Sequence, residues 1–210
     1  MPYVFTEVRT EDGDNHMTGE VTQPSRIWEG IAVPVAGTYD LDPVHSFVIF
    51  RVRHLVVGRV DGRFTSFRGS FNVVEDAERL FDSVDASFDA ASIDTHMQAR
   101  DDDLKSERFF DAETFPHVLF RGDGGEHTEG SCWSVHGALT IRDIAHGASL
   151  AVAVRGMMLD GSGRAKAALT VTTAIQRSDF GLTTELRQES GDNGEADVHI
   201  AADVEAFLRE

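Results

Sequence analysis

Along most of the chain apolar and polar residues alternate with a period of two, the spacing of strands that bury one face and wet the other. In "LDPVHSFVIFRVRHLVVGRVDGRF", starting at Leu41, the row Ser46, Val48, Phe50, Val52 and His54 interleaves with His45, Phe47, Ile49, Arg51 and Arg53. The stretch reads as one long strand followed by a second. "GRFTSFRGSFNVV" continues with Phe67, Phe71 and Val73 on one face, and with Gly62 and Gly69 where a sheet can bend or bulge. In "SVDASFDAASID" Val84, Ala86, Phe88 and Ala90 oppose Asp85, Ser87 and Asp89. "HVLFRG", "CWSVHGALTI", "SLAVAVRG", "RAKAALTVTTAI" and "ADVHIAADVEAF" follow as further strands. Turn-forming clusters divide them, among which "GDGGEHTEGS" reads as a hairpin loop. The class predicted is all-β with antiparallel strands.

One segment and one terminus depart from this. In "DTHMQARDDDLKSERFFDAETFP", Thr95 and Gln98 have capping-box spacing, Asp101 and Lys105 stand one turn apart as an ion pair, and Pro116 marks a stop. One or two short helices are predicted between Thr95 and Ala112. The "DDD" run reads as a solvated helix start favoured by the dipole, not as a metal site. Residues 1–36 hold Val4, Phe5, Val21, Ile27 and Trp28 as scattered anchors. They are expected to form a partly ordered extension to one domain over residues 37–210.

The 36 acidic against 19 basic residues give a formal net charge of -17. Such a surface repels phosphate backbones and anionic headgroups, so no nucleic-acid partner is expected. Apolar runs fall short of bilayer length and the first residues show no secretory pattern, so the expectation is a cytoplasmic protein without stable membrane insertion. The single cysteine, Cys132, leaves no intramolecular disulfide and agrees with a reducing compartment.

No catalytic apparatus stands out. The nine histidines form no H-x-x-x-H or H-E-x-x-H pattern, so no metal site is expected. There is no G-x-S-x-G elbow, and "RSDFG" lacks the nucleotide loops that would make it a kinase motif. His45 and His136 read as structural groups. His54 ends the row of Phe50 and Val52, where it can meet a ligand headgroup.

"GTYDLDPVHSFVIFRVRHLVVGRVDGRFTSFRGSF", "ASFDAASIDTHMQARDDDLKSERFFDAETFPHVLFRG", "VHGALTIRDI" and "IQRSDFGL" together resemble the YceI-like family in order and spacing, from about Gly37 onward. The most specific part is "RDDDLKSERFFDAETFPHVLF". The resemblance implies a lipocalin-like, extended, eight-stranded antiparallel β-barrel, commonly a homodimer, holding a long apolar molecule such as a polyisoprenoid or isoprenoid quinone. Many relatives are periplasmic, from which the cytoplasmic expectation departs.

A small barrel either fills itself with side chains or encloses a ligand. Alanines at 86, 90, 165, 167, 196 and 202 on the apolar rows argue for a hollow, whereas Phe50, Phe88, Phe120 and Trp133 are bulky enough to fill it. The residues alone leave both open, and the resemblance favours the hollow. The function expected is non-catalytic binding, storage or transport of a long apolar lipid, with no cofactor besides that ligand. On the early strands its wall comprises Val48, Phe50, Val52, Phe67 and Phe71, then Val84 and Phe88. On the later ones it comprises Phe120, Trp133, Leu139, Val152 and Val198. His54, Phe109 and Phe110 are placed at the mouth. The alternatives are an enzyme acting on an apolar substrate through His54 or His136, and a filled barrel serving as an interaction domain.

Overall fold

The alternation closes on itself. A computed structural model describes residues 23–54, 58–182 and 197–209. The short strands β1 (Ser25–Trp28) and β2 (Ile31–Pro34) form a hairpin. Next come β3 (Gly37–Leu41), β4 (Phe47–His54), β5 (Gly58–Phe64), β6 (Phe67–Val73), β7 (Phe81–Asp89) and β8 (Ile93–Asp94). Helix α1 (Gln98–Lys105) then precedes five long strands: β9 (His117–Glu129), β10 (Cys132–Ile141), β11 (Ile144–Leu159), β12 (Ala165–Gln176) and β13 (Asp197–Leu208). Neighbours run β12-β11-β10-β9-β7-β6-β3-β13, and β13 pairs back with β12, which closes an eight-stranded antiparallel barrel. Closure removes the exposed edges that an open sheet would leave. β4 continues β3 along β13, β5 extends β6, and β8 extends β7, so the first three staves are each broken once.

The barrel is stopped at both ends. At the lower end the β1–β2 hairpin lies against it, with Val33 fully buried and the Trp28 ring 6.3 Å from that of Trp133. This hairpin falls inside the stretch read as an extension; residues 1–22 lie outside the described residues. At the upper end sit α1 and the 3-10 turn Arg177–Phe180, whose Phe180 is buried against His146.

Four local expectations need correction. "GDGGEHTEGS" is not a loop, because β9 runs through it to Glu129 and the chain turns only at Gly130 and Ser131. Its glycines serve close packing: a Cβ at Gly122 would stand 2.9 Å from Val135, and one at Gly125 would stand 3.0 Å from Val135. Thr95 and Gln98 form no capping box, because the N-cap of α1 is Met97 without a side-chain bond; the Asp101 carboxylate instead accepts from the Thr95 amide at 2.9 Å and hydroxyl at 2.5 Å. Asp101 is accordingly buried instead of paired with Lys105, and Arg100 completes the network by donating to the Thr95 hydroxyl at 2.7 Å. Ala90 does not continue the β7 row; it is buried in the 3-10 turn Ala90–Ser92.

Candidate functional site

Inside the barrel is an apolar cavity of about 130 Å³. It lies where the inward rows carry their smallest residues: Ala86 on β7, Ala148 on β11 and Ala202 on β13. Its walls are otherwise aliphatic or aromatic, with Asp85 and Thr173 at the border. The Thr173 hydroxyl at the border donates to the Ser149 carbonyl at 2.8 Å. In size it is close to the engineered cavity of about 150 Å³ that stays dry and takes up benzene, so it matches about one isoprene unit. The interior is therefore neither solid nor an open tunnel.

Two aromatic groups bound it. Phe88 lines the upper side and meets Phe64 at 5.7 Å and Phe67 at 6.1 Å; Phe64 in turn meets Phe50 at 5.9 Å and Phe110 at 6.0 Å. Phe71 and Phe81 line the lower side, with Phe81 6.1 Å from Trp133 and Phe71 stacked on Tyr39 at 5.2 Å. Phe81 and Phe88 stand seven positions apart on β7, about 23 Å at roughly 3.3 Å per residue. The long dimension of the interior is thus set by two aromatic stoppers.

Seven residues expected in the wall border the cavity: Val48, Phe71, Val84, Phe88, Phe120, Leu139 and Val152. Phe50 and Phe67 belong to the upper aromatic group and Val198 is buried beside β4, while Val52 faces it from β4. None of these four lines the cavity. Nor does Trp133, which is fully buried in the lower stopper with its indole N–H donating to the Ala77 carbonyl at 2.8 Å. Of the mouth residues, Phe110 closes the α1 end and Phe109 is buried beside it. His54 ends β4, and its side chain lies outside the described residues. Of the alanines, Ala165 and Ala167 are packed low in the barrel and Ala196 lies outside the described residues.

The sequence reading missed Leu41, Phe81, Ala148 and Leu150. Leu150 was accessible to it, two positions before Val152 on the same row. Phe81 was not, because a register shift opposite Asn72 and Val73 moves it to the inward side against the parity of Val84.

The described histidines and the acidic cluster beside β3 lie outside this space. His136 is exposed on the outer wall with its Nδ1 2.9 Å from the Ser149 hydroxyl, remote from any interior substrate. Asp42, His45 and Glu205 bring three ligand atoms within 4.8 Å of one another. Asp42 is already 2.7 Å from His45 and accepts from the Val44 amide at 3.0 Å, and Glu205 is paired with Lys166. Burial works to raise the Asp42 pKa, but the bonds from His45 and Val44 outweigh it and hold the carboxyl below its ordinary value. These residues pin the break between β3 and β4. Tyr39, fully buried, donates to the Val35 carbonyl at 3.0 Å, and burial pushes its pKa up to about 12.

The YceI-like domain model matches residues 39–206. A UPF0312 protein of Yersinia pestis is 30% identical over 161 residues, covering 75% of this chain and 81% of the relative. Among solved structures, BcnA of Burkholderia cenocepacia superposes with a TM-score of 0.68 at 22% identity, over 79% of this chain and 98% of that one. A polyisoprenoid-binding domain from Saccharophagus degradans, implicated in plant cell wall breakdown, superposes with a TM-score of 0.60 at 14% identity, over 83% and 100%.

Proposed function

The chain belongs to the YceI-like family, and on that premise we propose that it binds a long apolar lipid of the polyisoprenoid or isoprenoid-quinone type in the barrel, carrying or storing it without chemical change. The observation that supports this most is the apolar cavity between two aromatic stoppers in an otherwise closed barrel. The polyisoprenoid-binding character of the Saccharophagus neighbour agrees with it. Each isoprene unit removed from water contributes about 4 kcal/mol, from five carbons at roughly 0.8 kcal/mol each. Part of that offsets the displacement of stopper side chains, since a tail of several units exceeds the present hollow. Val48, Val84, Phe88, Phe120, Leu139 and Val152 are the contacts assigned to the tail.

A passive role is favoured over catalysis by the position of His136 on the outer surface. A homodimer and a cytoplasmic location belong to the same proposal. Val44, Phe47 and Ile49, 75%, 60% and 47% exposed, supply an apolar outer face for self-association. The partly exposed, unpaired Cys132 suits a reducing compartment. Solvent extraction of freshly purified protein followed by mass spectrometry is the test. A stoichiometric isoprenoid lipid is expected, and its repeated absence across expression hosts would favour a filled interaction domain.

A further inference from the structure

Where β3 and β4 run beside β6 and β5, the ladder is interrupted. Pairing ends at Asp40 with Ser70 and resumes at Ile49 with Arg63. Residues 41–48 therefore face 64–69 with no ladder pairing between them among the described residues. The two lips are not frayed. The Asp42 amide donates to the Glu205 carbonyl at 2.8 Å and the Ser46 hydroxyl to the same carbonyl at 3.2 Å, which ties one lip to β13. On the other lip the Thr65 amide donates to the Ser92 carbonyl at 3.1 Å and the Ser66 amide to the Ser92 hydroxyl at 3.1 Å. These bonds all point away from the seam. Parting the lips breaks no ladder bond, whereas opening the wall between paired strands would forfeit several at about 0.5–1.5 kcal/mol each.

An outer cleft of about 550 Å³ lies over this seam, and Leu41, Asp85, Ala86 and Phe120 border both it and the inner cavity. Leu41 is the side chain at the seam: a Cβ at Gly69 would stand 2.6 Å from the Asp85 carbonyl oxygen and 3.3 Å from Leu41 Cδ2, so the glycine lets β6 close on β7 with Leu41 packed over it. The cleft is polar outside. Asp40 is engaged by Arg209 and Asp85 lies 3.9 Å from Arg121, while Arg68 has no carboxylate partner among the described residues. In a chain of net charge -17, an unopposed guanidinium beside an opening to an apolar interior suits an anion.

We infer that this seam is a lateral doorway: the apolar tail enters sideways past Leu41, and an anionic headgroup stays in the outer cleft against Arg68. The inference rests on the carrier reading and adds the route and the headgroup class.

Trp28 and Trp133, the chain's two tryptophans, sit in the lower stopper, so their fluorescence reports arrival of a tail. Stopped-flow mixing with geranylgeranyl phosphate and with geranylgeraniol is the experiment. Leu41→Ala should speed both uptake and release about fivefold or more and Leu41→Trp should slow them comparably, and Phe110→Ala, which loosens the upper stopper, should change either by less than the Leu41 variants do. Arg68→Gln should weaken the phosphate about tenfold, the loss of one hydrogen bond to a charged group, and leave the alcohol unchanged. Exchange accelerated by Phe110→Ala but indifferent to both Leu41 variants would overturn the doorway while the carrier stands. Equal effects of Arg68→Gln on both lipids would overturn the headgroup assignment. Native protein that takes up neither lipid would contradict the carrier reading itself.

Discussion

Filling the hollow is the perturbation that separates a cavity from a packed core. Ala202 borders the cavity on β13, opposite Val48 on β4 and Val171 on β12. At about 24 cal/mol per Å³, an empty space of about 130 Å³ represents about 3 kcal/mol of missing packing. Ala202→Leu adds three carbons, a gain of up to about 2.4 kcal/mol at roughly 0.8 kcal/mol each. Fixing the leucine rotamer costs about 0.5–1 kcal/mol, so the lipid-free variant should be more stable by about 1.5 kcal/mol. For a chain of this length that raises the melting temperature by roughly 3–6 °C. Urea unfolding of delipidated protein at unchanged slope measures it, and tail binding should fall in parallel. Ala167, fully buried in the packed lower barrel, is the control: Ala167→Leu should cost about 1–3 kcal/mol by overpacking. If Ala202→Leu loses stability as Ala167→Leu does, the interior is already filled and the reasoning fails.

Phe88→Ala should destabilise the lipid-free barrel by about 3–5 kcal/mol yet shift binding toward longer tails, as a chain-length series would show. Tyr39 ionises only near 12, against 10.0 for an ordinary tyrosine, and its raised value sets the sign. Its contribution to stability is whole below about pH 10 and is lost as pH rises toward 12, so an absorbance titration at high pH should show one tyrosine ionising only as the protein unfolds. Asp101→Ala leaves the buried Thr95 amide and hydroxyl without their acceptor and should cost about 1–3 kcal/mol in urea unfolding. Thr95→Val alongside it should recover part of that loss.

The barrel was legible because half-buried strands print their period directly. β10 spans the same residues, Cys132–Ile141, as the alternating segment does. The inward rows through Val48, Val84 and Leu139 could be drawn for the same reason. What stayed hidden depended on register and on neighbours. A bulge turned Phe81 inward, and glycines that signal a turn in isolation proved to be contact points for Val135. Trp133 has the right parity for the wall, yet its height on β10 puts it in the stopper, and parity carries no information about height. The seam was invisible too, since a ladder that stops between Asp40 and Ile49 leaves both flanking strands with intact alternation.

Isotope-filtered NMR on the complex with geranylgeraniol tests most directly whether the tail lies inside the barrel. Intermolecular contacts from tail protons to the methyl groups of Val84, Leu139, Leu169 and Val204, with none to the outward Ile49 and Leu119, are the predicted result. Contacts confined to the outer residues would contradict it.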